Sequence, residues 1–194
     1  MLQNDPELFE LSMSEKTQPL MDLVKKHCEE NIKPIQQEYS ALQNEKEDRW
    51  SWHPRQIELM EGAKEKAREL GLWNFFLPDP DGNIGDGLTN LDYTYVASEI
   101  GKYPLASESM NCSAPDTGNM EVLERVGTEE QKKQWLEPLL NGEIRSAYAM
   151  TEPNLASSDA KNISTSAVLD GDEWVINGEK FYISGAGDPR CKIM

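Results

Sequence analysis

Near Arg145 this chain changes its period once, and that change limits its fold more than any other feature. Up to about residue 145 apolar side chains recur every three or four positions; beyond it they alternate between strand-like runs and small-residue turns. Such a chain is expected to be α+β, with an all-α helical domain over 1–145 followed by the beginning of a β-domain over 146–194.

The first helical pattern places Leu20, Val24, Cys28, Ile32, Ile35, Tyr39 and Leu42 on one face. Pro19 suits its first turn, and Pro34 is expected to kink or divide it. A second helix starts at Pro54, carries Ile57, Met60, Ala63, Ala67 and Leu70 inward, and stops at Gly71. A third is capped by Thr89, carries Leu91, Tyr95 and Ile100, and ends at Gly101. Asp116 or Thr117 caps a fourth, with Met120, Leu123 and Val126 inside. Thr128-Glu129-Glu130-Gln131 is a capping box for a fifth, whose apolar face is Trp135, Leu136, Leu139 and Leu140. Residues 1–15 read as an arm or short helix, 45–49 as a solvated charge run, 73–77 as an apolar segment packed under the turn-rich loop 78–87.

Beyond Arg145, Ser146–Met150 and Ile163–Leu169 read as strands; Asp170-Gly171-Asp172 turns the chain into a return strand from Glu173, and Cys191–Met194 opens another. So few strands cannot bury a sheet face between them, and the sequence reads as cut short.

A net charge of -16 argues against the broad basic surface that a nucleic-acid backbone requires and disfavours anionic membranes, so no nucleic-acid partner is expected. No apolar run reaches the ~20 residues that a membrane helix needs, and no integral membrane segment is expected. Cys28, Cys112 and Cys191 fit no metal-ligand or disulfide spacing and are expected as reduced thiols. His27 and His53 read as structural, and no metal site is expected. Neither GxGxxG nor GxxxxGK occurs.

That leaves the hydroxyls, aromatics and turns between Tyr148 and Ser184 as the place for a ligand. Leu70-Gly71-Leu72-Trp73, Glu99-Ile100-Gly101 and Gly127-Thr128-Glu129-Glu130-Gln131-Lys132 come first along the chain. Ala149-Met150-Thr151-Glu152-Pro153, Ser158-Asp159 and Asn177-Gly178-Glu179-Lys180 follow. Their order and spacing resemble the front part of the acyl-CoA dehydrogenase family. The variants Ala156-Ser157-Ser158-Asp159 and Ser184-Gly185-Ala186-Gly187 resemble the branch with animal members ten and eleven and their bacterial relatives.

The resemblance implies an N-terminal helical domain, a barrel-like middle β-domain that begins here, and a C-terminal helical bundle that this sequence lacks. It implies FAD, α,β-dehydrogenation of an acyl-CoA thioester to the trans-2-enoyl-CoA, and hydride transfer to flavin N5. Carried over by position, Tyr148, Met150, Thr151, Ser157, Tyr182, Ile183 and Ser184 are cofactor-binding. Tyr182 replaces a flavin-stacking Trp and Ser184 a Thr. Ser158 contacts the acyl-CoA, although the turn from Thr151 to Asp159 is one residue longer than usual in the family. The catalytic glutamate lies in the absent C-terminal part, so no residue here is catalytic, and the chain alone is expected to be inactive. Expected partners are acyl-CoA, an electron-transferring flavoprotein and further copies in a homodimer or homotetramer. The expected compartment is the cytoplasm in a bacterium, the mitochondrial matrix or peroxisome in a eukaryote. Acyl-CoA oxidase or flavin monooxygenase chemistry, and a non-catalytic fragment with an assembly role, are the alternatives.

Overall fold

Pro34 shapes the first helix. It has no N–H to offer the carbonyl four residues back, and its ring crowds that carbonyl. The chain answers by widening. Helix α1 (Gln18–His27) passes into a π turn over Cys28–Ile32, where Lys33 N–H reaches back to Cys28 O, and then continues as α2 (Lys33–Ala41). The expected kink or division is thus a one-turn change of pitch, with Val24, Cys28 and Ile32 fully buried along it.

This computed structural model describes residues 11–46, 48, 50–77 and 88–194, and the chain forms two compact units, Met1–Thr117 and Gly118–Met194. The expectations for residues 1–10 and for the loop 78–87 lie outside the described residues, as do two positions of the 45–49 charge run.

In the first unit α3 (Pro54–Glu69) begins with a capping box: His53 accepts from Arg55 N–H and the Gln56 side chain accepts from His53 N–H. Gly71, at φ 72°, turns the chain out of the helix. Helix α4 (Asn90–Ile100) starts from Thr89, whose hydroxyl accepts from Asp92 N–H, and a short α5 (Ala106–Ser109) follows unannounced by any periodicity. Ile32, Leu72, Val96 and Met110 form the most deeply buried part of this unit. Each such side chain contributes roughly 1.5–3 kcal/mol by leaving water.

Three expected inward positions are corrected. Ile57 is 51% exposed because the buried face of α3 is centred on Met60, Ala63 and Ala67 and takes in Gln56, which donates to Tyr39 O at 3.0 Å, leaving Ile57 at its margin. Tyr95 is 39% exposed because Asp92, Val96 and Ile100 occupy the buried face of α4. Val126 is 76% exposed at the end of α6 (Asp116–Val126), of which Met120 is fully buried.

The expected fifth helix is also divided. Helix α7 (Glu129–Gln131) has the Thr128 capping box, Lys132–Leu136 forms a second π turn, and α8 (Glu137–Asn141) carries Pro138 at its second position. Asn119 on α6 donates to Ser146 Oγ at 2.8 Å and Ala147 O at 3.1 Å, fixing the start of the β region.

There β1 is only Arg145–Ser146, shorter than the expected Ser146–Met150, and it runs parallel to β4 (Cys191–Ile193). Beyond Ser146 the backbone is irregular apart from Ala147 N–H, which donates to Ile193 O. Strand β2 is Ser166–Asp170 and pairs antiparallel with β3 (Glu173–Asn177) through the turn at Gly171. Ile163–Thr165, expected within that strand, lies outside it, because two of its amides are taken by a carboxylate. The strands form two pairs, and no barrel closes among the described residues.

Candidate functional site

The segment after β1 runs beside residues 180–185, and a small set of bonds joins the two. Phe181 N–H donates to Thr151 O at 2.9 Å, and the Thr151 hydroxyl donates to Phe181 O. Lys180 Nζ donates to Met150 O at 2.9 Å. A Cβ on Gly185 would stand 3.4 Å from Ser146 O, so the two backbones approach closely at the other end as well.

Glu152 fastens this pairing to a third segment. One carboxylate oxygen accepts from Ser164 N–H at 2.9 Å and Ser164 Oγ at 2.7 Å; the other accepts from Thr165 N–H at 2.9 Å and Lys180 Nζ at 3.0 Å. Hydrogen bonds from Thr165 and Ser164 hold this buried carboxyl well below the usual carboxylate range. Gly178 makes the junction possible: a Cβ there would lie 2.2 Å from Thr165 Oγ1 and 2.8 Å from its Cα.

Of the expected cofactor residues, Tyr148, Met150 and Thr151 share the first segment, and Tyr182, Ile183 and Ser184 the second. Met150 N–H turns back to Tyr148 O at 3.1 Å, while the Tyr148 ring, Thr151 and Ser184 are exposed. Tyr182 is 86% exposed and sits at φ 54°, a left-handed conformation rare for an aromatic residue, with its ring tilted against Phe181 at 4.2 Å. Ser157 is buried and its hydroxyl is engaged locally, accepting from Glu152 N–H at 2.8 Å and donating to Leu155 O at 3.2 Å. Ser158 is exposed on the same turn, and Asp159 caps the following turn by accepting from Lys161 N–H at 3.0 Å.

A flat aromatic ring beside exposed hydroxyls and backbone donors suits a planar ligand that carries negative charge along one polar edge. From the sequence Glu152 reads as a turn or cap carboxylate, since its partners stand 12, 13 and 28 positions away. In the first unit a cavity of about 330 Å³ is lined by Tyr93, Ile100, Tyr103, Ser107 and Cys112, with no charged side chain among the described residues. Burial pushes the Cys112 thiol up to about 12, which makes it an inert apolar wall. Among the described residues no cluster of His, Cys, Asp and Glu could hold a metal, and no helix is long and apolar enough to cross a membrane.

Residues 14–143 match the family model for the acyl-CoA dehydrogenase N-terminal domain, and residues 147–194 that for the middle domain. Acyl-CoA dehydrogenase family member 10 of Mus musculus is 48% identical over 184 residues, covering 93% of this chain and 17% of its own length. Family member 11 of Gallus gallus is 48% identical over 183 residues, covering 93% and 22%. A solved structure from Mycobacterium abscessus, assigned as an acyl-CoA dehydrogenase, superposes with a TM-score of 0.83 at 43% identity, over 94% of this chain and 46% of that one. A glutaryl-CoA dehydrogenase from Mycobacterium smegmatis, in complex with FADH2, shares the fold at 24% identity and a TM-score of 0.61, over 91% and 42%. The chain therefore spans about a fifth of the two curated relatives and just under half of the solved ones.

Proposed function

The chain belongs to the acyl-CoA dehydrogenase family, and from that premise we propose that residues 148–184 form one wall of an FAD site that serves α,β-dehydrogenation of an acyl-CoA thioester. The observation that carries this reading is the exposed Tyr182 ring, held in a left-handed conformation beside the Thr151 and Ser184 segments. The donor set fits a flavin: the bonds between the segments leave out the Thr151 amide, and Ser184 places a hydroxyl at the exposed surface, while the Thr151 hydroxyl braces the pairing through Phe181 O. Bound FAD supplies the hydride acceptor. The protein's part is to stack on the ring through Tyr182 and to offer Thr151, Ser184 and the Met150 region to its polar edge.

Ser158, exposed on its turn, is assigned to the acyl-CoA; Ser157 supports that turn from inside. No residue of this chain is assigned as the general base. The division of labour falls at 145/146, with the helical part before it and the cofactor wall after it. The reading includes a homo-oligomer and an electron-transferring flavoprotein as acceptor, working in the bacterial cytoplasm or, in a eukaryote, the mitochondrial matrix or peroxisome.

The test is anaerobic titration of the complete protein carrying this sequence. Bound yellow flavin that bleaches with acyl-CoA is expected, and Thr151→Val together with Ser184→Ala should weaken FAD binding about tenfold or more. A complete, folded protein that takes up no FAD would sink the reading.

A further inference from the structure

Glu152 lies one residue from Thr151, and its partner Lys180 lies two residues from Tyr182. The carboxylate is buried and accepts four bonds, from two amides, a hydroxyl and an ammonium group. Four donors satisfy it, which a buried charge requires. The same Lys180 Nζ holds Met150 O, so the ammonium group joins the residue before Thr151 to the residue after it.

We propose that Glu152 is the positioning residue of this site, acting as a clasp that sets Thr151 and Tyr182 against the flavin through Lys180, Ser164 and Thr165. The proposal rests on the flavin reading above. A left-handed aromatic residue persists only where its surroundings over-determine it. Here the bonds at Lys180 and Phe181 immediately precede it and fix the approach of the chain. Releasing the carboxylate frees the Ser164–Thr165 amides and leaves Lys180 with Met150 O alone. Tyr182 can then relax to a common conformation, and the ring leaves its place. Glu152 touches no reacting atom in this account; it acts through its neighbours.

The test uses Glu152→Gln, which keeps shape but turns an amide NH2 toward donors, with Lys180→Met and Lys180→Arg. Amide hydrogen exchange of the peptides over 160–167 and 178–184 reports the clasp without flavin. FAD affinity and the flavin midpoint potential of the complete protein report the positioning. Glu152→Gln is expected to speed exchange in both peptides about tenfold, weaken FAD about tenfold and shift the potential. Lys180→Met should do the same in the 178–184 peptide only, Lys180→Arg should restore both readouts, and the double variant should be no worse than Glu152→Gln. Faster exchange with unchanged FAD affinity and potential would overturn the positioning role, and unchanged exchange would overturn the clasp. If Glu152→Gln does not fold, the Lys180 pair decides alone by the same criteria. A wild-type protein that binds no FAD refutes the flavin reading, whereas the exchange data still decide whether the clasp exists.

Discussion

His27 is buried with Nε2 2.9 Å from Ser109 Oγ and Nδ1 3.3 Å from Asn31 Nδ2, and no carboxylate is among these partners. Burial lowers its pKa from 6.5 to about 4. Between those values the unfolded chain binds the proton and the folded one does not, so folding is opposed increasingly as pH falls through 6.5 toward 4. The contribution, about 3 kcal/mol, is fully present above the unfolded pKa. Urea unfolding followed between pH 7 and pH 4 should show this loss, and His27→Gln should flatten it. Asp92 and Glu152 have carboxyls held well below their usual range, so their contributions disappear only at more acidic pH. At Gly178 a different residue-scale constraint operates. Gly178→Ala drives a methyl into Thr165, backbone included, and should cost about 1–3 kcal/mol. Loss of exchange protection at the Thr165 amide would register it; full protection would mean that the two backbones can separate freely.

At the scale of elements, the chain uses one device twice: a five-residue π turn immediately before an α segment with proline at its second position, at Cys28–Ile32 and at Lys132–Leu136. In both, the proline removes one rung and the ladder lengthens to go around it. Ahead of the second stands the Thr128–Gln131 capping box. Thr128→Ala should therefore destabilise the second unit by about 1 kcal/mol in chemical denaturation, with little effect on the first.

Caps and hairpins of this kind were legible in the sequence because each depends on residues within four positions of one another: Thr89, Thr128, Gly71 and Gly171 act as expected. Burial was less legible. Gln56, Lys64 and Asp92 go inward because distant partners await them, Tyr39 O, Glu108 and Ser14 N–H, and no helical period reports such partners. The candidate site divides the same way. Thr151, Glu152, Lys180 and Ser184 all stand in recognisable motifs, but no motif reports that the Glu152 carboxylate joins three segments.

At the scale of the whole molecule, the β2–β3 hairpin stands uncovered among the described residues. All ten of its strand residues are exposed. Its register puts Ala167 opposite Ile176 and Leu169 opposite Trp174 on one face, with the Val168–Val175 pair among polar residues on the other. A two-stranded sheet with an open apolar face is marginal in water and adhesive. The net charge of -16 keeps copies apart through repulsion that salt screens. The 194-residue chain should self-associate more as salt rises, with Trp174 emission shifting to the blue. Leu169→Thr with Ile176→Thr should abolish both changes in sedimentation and fluorescence, and a salt-independent monomer would contradict this.

Tyr182 sets a lasting conflict between durability and use. Its left-handed backbone favours glycine or asparagine, and its exposed ring gains little from burial within the chain. Random variants ranked by heat resistance would drift toward glycine there, while those ranked by cofactor retention would keep an aromatic ring. Improving one property at this position works against the other, so a more robust version of the protein would have to be sought elsewhere along the chain.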